Sequence, residues 1–273
     1  MSENLTNNNY IDIPVVPLRG LVVFPEMMLH FDVGSKKSVN AIKNAMRASN
    51  QVFLVAQRDP SVDEPGIEDL YEVGVICHIK QTIRIPNSDN LRVVVEGNQR
   101  AHLMELTQTR PYLSGSLFPI PEETPLDDNE ERAYSRAVKK EFEKYASYIP
   151  KISNDVKVKV LSINDCGKLC DFICSNSFFE YEEKQTILET LPITERLMKL
   201  FILLNKENAT LEIESEIHEK VQENIDRNQR EYYLREEMRV IGEALGETDN
   251  PAEEADEYKE KIEKLQCSDE IKN

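Results

Sequence analysis

Three cysteines, Cys166, Cys170 and Cys174, are the first residues whose spacing suggests chemistry. At i, i+4 and i+8 they lie near one face of a helix, where three thiolates could approach a metal ion. Leu169 and Ile173 share that face and no His or fourth Cys is adjacent, so the thiols read as small buried hydrophobes of a helical core. The four histidines, His30, His78, His102 and His218, show no ligand spacing and fit strand faces and a helix surface better than catalysis. No Gly-x-x-x-x-Gly-Lys-Ser/Thr phosphate loop or Gly-x-Gly-x-x-Gly turn occurs. Ser114-Gly-Ser116 lacks the flanking glycines of a nucleophile elbow. No catalytic, cofactor-binding or metal-binding residue is therefore assigned. In so acidic a chain, neighbouring carboxylates carry no signal for acid-base work.

The remaining candidates are contact residues. Pro25, Met27 and Met28 follow Val22-Val23-Phe24, and flexible methionines on a loop could form an adaptable apolar contact for peptides. The alternative, that they pack the end of a barrel, stays open. Arg230, Tyr232, Tyr233 and Leu234 stand in a densely charged stretch. Two adjacent amphipathic rings there suit an interdomain or intersubunit contact, with a solvated spacer as the alternative.

Strands must position the first set. Val75, Cys77, Ile79, Gln81, Ile83 and Ile85 alternate with Ile76, His78, Lys80, Thr82 and Arg84, the period of two of a long half-buried strand. Further strands are predicted over 11–18, 28–33, 52–56, 91–96, 102–106 and 113–118, with Gly97-Asn98 among the turn formers between them. One helix, with Val39, Ile42, Ala45 and Met46 on a face and Ser35 or Ser38 as N-cap, interrupts them. After Pro119-Ile-Pro the period changes. Tyr134, Val138, Phe142, Tyr145 and Ile149 line a helix ended by Pro150, and shorter helices are expected at about 153–162, 165–175 and 180–190, with another capped by Thr194. From Leu211 to Leu245 a separate long helix is expected, roughly 50 Å at about 1.5 Å per residue. The fold class is α+β: a β-rich domain at 1–118, a linker at 119–128, a helical bundle at 129–205, a long helix at 206–246, then an acidic connector and the start of a truncated helix at 247–273.

Charge follows the same division. Residues 1–118 hold 11 basic and 13 acidic side chains, a net of −2, against 22 and 37 afterwards, a net of −15. The total of −17 opposes binding to nucleic acid or an anionic membrane, and no local basic patch offsets it. No apolar run is long enough to span a bilayer, and the N-terminus lacks a basic start and apolar stretch, so a cytoplasmic location is expected. Five unevenly spread cysteines fit reduced thiols.

Ile13-Pro-Val-Val-Pro-Leu-Arg-Gly-Leu-Val-Val-Phe-Pro25, followed by Val33-Gly-Ser and Ser38-Val, resembles the opening signature of the Lon ATP-dependent protease family. Asn228-Gln-Arg-Glu-Tyr-Tyr-Leu-Arg-Glu-Glu-Met-Arg-Val-Ile-Gly-Glu-Ala-Leu-Gly-Glu247 looks like the segment leading to that family's ATPase module, and Glu96-Gly97 and Leu191-Pro-Ile-Thr-Glu-Arg-Leu197 fall between in the expected order. The resemblance implies a PUA-like N-terminal β-domain for substrate recognition, a helical subdomain and a long helix. An AAA+ ATPase using ATP and Mg and a Ser-Lys protease domain would follow, in a homohexamer that degrades misfolded, damaged and short-lived regulatory proteins under stress. Walker motifs and the Ser-Lys dyad are absent from these residues, which implies a non-catalytic front section. A stand-alone substrate-binding or adaptor protein is the alternative, and the long helix argues against it because a free-standing domain has no ATPase to reach.

Overall fold

In the first part of the chain β-branched residues stand in pairs and triplets, as at Val15-Val16 and Val93–Val95, and a strand carrying such a run needs apolar neighbours on both faces. The computed structural model, which describes residues 10–86, 88, 90–121, 127–245, 258 and 261, provides them. Six strands, β1 (Ile11–Leu18), β2 (Met28–Val33), β3 (Gln51–Ala56), β4 (Val73–Arg84), β5 (Leu91–Gln108) and β6 (Leu113–Pro119), lie in the order β2-β5-β4-β3-β1-β6. β6 also pairs with the second part of β5, from Ala101 to Gln108, so five strands close into a barrel. β2 pairs with Leu91–Glu96 of β5 and stays outside that ring. Only β1 and β3 run parallel; the connection between them carries β2 and α1 (Lys36–Arg47).

Ile13, Val15, Phe53, Val55, Ile76, Leu103 and Leu117 fill the ring as one buried cluster. Their alternates on the central strands, among them Val16, Leu18, Val52, Leu54, Val75 and Cys77, join a larger cluster with α1 and the later helices. This double burial explains where simple alternation fails. Ile76, expected on the polar face of β4, is buried, while Ile83 is 48% exposed. Register shifts at Ile76/Cys77 and Ile79/Gln81 reset the faces along the strand. Gly97-Asn98 is not a turn: β5 runs straight through it as one strand of 18 residues. A glycine inside a strand marks a bulge or a close backbone approach, and here both occur: Asn98 is the extra residue between the Cys77–Gly97 and Ile76–Gln99 pairs, and the loop before β2 approaches Gly97.

Ser35, not Ser38, caps α1, its hydroxyl accepting the Ser38 N–H at 3.1 Å. After the barrel come α2 (Asp128–Tyr148), α3 (Asn154–Ser162), α4 (Cys166–Asn176), α5 (Tyr181–Glu189) and α6 (Ile193–Leu245). Val138, Phe142 and Tyr145 of α2 are buried, as their four- and three-residue steps require. Ser153 and Asp165 cap α3 and α4. The helices expected from Thr194 and from Leu211 are one, α6. It begins directly after Pro192, whose carbonyl accepts the Arg196 N–H at 2.9 Å, which leaves Thr194 inside the first turn. No glycine or proline breaks the run from Ile193 to Ile241, so nothing in the sequence ends the first helix before the second begins.

The chain divides into two units between Leu211 and Glu212, and not at the proline-rich stretch 119–128. There Ile120 is buried and its N–H donates to the Arg100 carbonyl at 2.9 Å, so the chain leaving β6 stays bound to β5. Residues 122–126 lie outside the described residues, as do Gly246, the acidic connector 247–257 and most of 258–273. In the second unit Ile213, Ile217, Val221 and Ile225 of α6 are all exposed by half or thereabouts, among short-range pairs such as Glu216–Lys220 and Glu231–Arg235.

Candidate functional site

The loop between β1 and β2 carries Pro25, Met27 and Met28, and its shape follows from three anchors. Val22, Val23 and Phe24 are buried, Phe24 completely, and pull the middle of the loop into the core. Gly20 (φ 63°) and Glu26 (φ 60°) adopt the left-handed conformation on either side of this plug and turn the chain in and out. Gly97 then clamps the exit. Its carbonyl accepts the Glu26 N–H and its N–H donates to the Met27 carbonyl, both at 2.9 Å. The approach is so close that a Cβ on Gly97 would lie 2.2 Å from the Phe24 carbonyl oxygen.

This geometry separates the three residues. Pro25 and Met27 are half-buried, Met27 against the core, and Met28 is 50% exposed at the start of β2. Met28, His30 and Asp32 project on the exposed side of β2 and Leu29, Phe31 and Val33 on the buried side. Two ion pairs neutralise the neighbouring surface. Arg92 donates twice to Asp32, at 2.7 and 2.9 Å, and that hydrogen bonding holds the Asp32 carboxyl below its usual range. Lys80 pairs with Glu96 at 2.5 Å.

A buried ion cluster fixes the helices against this part of the barrel. Arg100 of β5 donates to both carboxylate oxygens of Asp171 on α4, at 2.8 and 2.5 Å, and to the Leu188 carbonyl at 3.1 Å. Arg196 of α6 lies 3.8 Å from the same carboxylate and donates to the Thr190 and Leu191 carbonyls. All three side chains are buried. Burial works against the charge on Arg100, and the Asp171 carboxylate more than offsets it, so the guanidinium pKa rises. One turn before Asp171, Lys168 reaches back to Glu26 at 2.6 Å and ties α4 to the loop itself. Sequence reasoning missed this cluster, because Arg100 and Asp171 are 71 residues apart and neither sits in a recognisable motif. It also missed Tyr10, just before β1, and Phe118 of β6, exposed rings 5.9 Å apart.

Cys166, Cys170 and Cys174 are buried on α4 beside Leu169 and Ile173, as core packing requires. Burial pushes the Cys166 thiol up to about 11 and that of Cys170 well above the ordinary range, so both stay protonated. Among the described residues no three His, Cys, Asp or Glu side chains converge as a metal site would need. His30, His78 and His218 are exposed on separate elements, and His102 is half-buried. Arg230, Tyr232, Tyr233 and Leu234 are exposed on α6, the two rings meeting edge to face with centroids 6.1 Å apart. Arg230, Tyr233 and Leu234, at i, i+3 and i+4, share one face of the helix, and Tyr232 points away from it. No described helix is long and apolar enough to cross a membrane.

A family model described as the ATP-dependent protease La (LON) substrate-binding domain matches residues 12–206, which covers the barrel, α2 to α5 and the start of α6. The chain is 38% identical over 261 residues to a Lon protease of Brevibacillus choshinensis, covering 96% of this chain and 33% of that protein. It is 38% identical over 272 residues to Lon protease 1 of Bacillus subtilis and 34% identical over 269 residues to the Lon protease of Escherichia coli, covering 34% of each. The chain therefore spans about a third of the length of these relatives. Two solved structures share the fold. The N-terminal domain of a Mycobacterium avium complex Lon protease matches at TM-score 0.59 and 23% identity, covering 71% of this chain and 98% of that one. A Lon N-terminal domain protein from Xanthomonas campestris matches at TM-score 0.51 and 12% identity, covering 70% and 98%. On the match over residues 12–206, this chain belongs to the LON substrate-binding domain family.

Proposed function

We propose that this chain recognises and positions substrates for a Lon-type ATP-dependent serine protease, without itself hydrolysing ATP or cleaving peptides. The observation that carries the reading is the family match across the barrel and the helices together, in relatives named as proteases and about three times as long. On this reading the barrel and α2 to α5 engage apolar segments of unfolded, damaged or regulatory proteins, with Pro25, Met27 and Met28 among the contacts. The exposed stripe of α6 and Arg230, Tyr232, Tyr233 and Leu234 meet the ATPase module or a neighbouring copy and set the position of the barrel relative to it. ATP and Mg belong to that module, and assembly as a hexamer in the cytoplasm places several weak sites around one entrance. Such multivalency raises the effective concentration of a captured segment without tight binding at any one site.

Photocrosslinking tests this directly. Fluorescein-labelled β-casein, which is unfolded in solution and carries photoreactive groups, is mixed with the chain. Labelled peptides from residues 10–118 are expected. Casein binding without any label in that range would move recognition to the helices, and no casein binding at all would remove the reading.

A further inference from the structure

Closure of the barrel leaves one strand incompletely paired. β1, β3, β4, β5 and β6 each hydrogen-bond to at least two neighbours, whereas β2 pairs with β5 alone. The bond from the Gly97 N–H to the Met27 carbonyl sets the phase of that pairing, so Leu29, Phe31 and Val33 turn their main-chain groups to β5. The N–H and C=O groups of Met28, His30 and Asp32 point the other way. All three residues are exposed, and no hydrogen bond among the described residues uses those groups. Proteins usually blunt such an edge with Lys, Pro or a bulge. β2 reads Met-Leu-His-Phe-Asp-Val, and its register with β5 runs through all six pairs without a shift, although β4–β5 and β5–β6 both contain shifts.

The edge states the chemistry of its occupant, since only another extended main chain presents donors and acceptors at this spacing. We propose that the outer edge of β2 receives an extended segment of an unfolded polypeptide as an added strand. This rests on the reading above and specifies how capture is made. Main-chain hydrogen bonds make the capture tolerant of sequence, as a site for many damaged proteins must be. At its Met28 end the segment meets exposed Met28 and half-buried Met27 and Pro25, which favours an apolar residue there. Along the rest of the strand the Asp32–Arg92 and Lys80–Glu96 pairs leave no net charge to select against acidic or basic segments.

The test uses the whole chain with fluorescein-labelled β-casein, read by anisotropy, and amide hydrogen exchange. His30→Pro deletes an outward N–H that β5 does not use, while His30→Thr keeps it. His30→Pro is expected to weaken casein binding about fivefold and His30→Thr to leave it within about twofold, as loss of one main-chain hydrogen bond predicts. In the unmodified chain, casein is expected to slow exchange at His30 and Asp32 by about tenfold. A folded His30→Pro variant that binds casein normally overturns the proposal. So does casein binding with no slowing at these amides, a measurement that decides alone if His30→Pro fails to fold. Slowing that depends on chain concentration without casein would assign the edge to a second copy, and slowing lost on deleting residues 1–9 would assign it to the chain's own N-terminus. Absence of casein binding to the unmodified chain would instead remove the functional reading on which the proposal rests.

Discussion

Replacing Gly97 with Ala separates the loop's geometry from its composition. The added Cβ would sit 2.2 Å from the Phe24 carbonyl oxygen, 3.1 Å from the Phe24 carbonyl carbon and 3.3 Å from the Pro25 Cα, all of them backbone atoms. None can rotate away as a side chain would. To restore ordinary contact the loop must retreat by roughly 1 Å, which breaks or stretches both hydrogen bonds between Gly97 and Glu26–Met27. Overpacking of this kind costs about 1–3 kcal/mol and each lost hydrogen bond about 0.5–1.5 kcal/mol. Because the retreat that relieves the first loses the second, a total of about 2–4 kcal/mol is expected. At about 2–4 °C per kcal/mol for a unit of this size, the melting temperature falls by roughly 4–16 °C. Gly20→Ala is the control. Gly20, unlike Gly97, has a positive φ, but no atom lies within 4 Å of its Cβ position, so only a conformational cost of about 1–2 kcal/mol applies. The chain has no Trp and ten Tyr, so urea unfolding is followed by far-ultraviolet circular dichroism and tyrosine fluorescence. Casein binding is measured beside it. Gly97→Ala as stable as Gly20→Ala, or with unaltered casein affinity at full folding, would refute the view that Gly97 holds the loop in place.

Three further outcomes follow from the same geometry. Asp171→Ala leaves Arg100 and Arg196 buried without their carboxylate and is expected to cost about 3–5 kcal/mol by urea denaturation, with Arg100→Met/Asp171→Leu recovering part of it; a cost below about 1 kcal/mol would show the cluster to be solvated. Burial raises the thiol pKa of Cys77, Cys166 and Cys170 in the folded chain, so their contribution is complete below the unfolded thiol value, about 8.5, and is lost as pH rises towards their folded values. Stability should therefore fall between about pH 9 and 11, and these thiols should react with a disulfide reagent only as fast as the chain unfolds; rapid labelling of the native chain would contradict this. Tyr232→Ser/Tyr233→Ser alters exposed residues and should change stability by no more than about 0.5 kcal/mol, yet in the longer protease of the proposed reading it should uncouple ATP hydrolysis from proteolysis, and unchanged coupling would leave these tyrosines as part of a solvated spacer.

The strands and helices were legible because local pattern dictates them. Ile11–Leu18 and Met28–Val33 matched residue for residue, and the step-of-four apolar rows of α2 and α6 are visible without tertiary knowledge. What the sequence hid depends on neighbours brought from far away. Gly97 looks like a turn former until the Phe24 carbonyl is seen against it. Pro192 and Thr194 look like the start of a short helix, and the absence of glycine and proline from Ile193 to Ile241 is the one local sign that the same helix runs on to Leu245. Part of the acidic excess after 118 lies on exposed α6 in the second unit, where Glu231 pairs with Arg235 and Arg239 with Glu236 and Glu243.

In the sequence Pro25, Met27 and Met28 are alike in being apolar residues of one loop. The structure grades them instead by what surrounds them: Met27 belongs partly to the core and Met28 to a strand edge. A signal for that edge was present. Val15-Val16 and Val93–Val95 are unbroken apolar runs, buried on both faces. Met28 to Val33 alternates strictly between exposed and buried, with His30 and Asp32 at the exposed positions. In a barrel whose outer face is covered by helices, strict alternation marks a strand that the covering does not reach. The alternation of β2 therefore says more about where this chain can accept a partner than the methionines do, and it does so through the main chain, whose hydrogen-bonding groups are the same for every substrate.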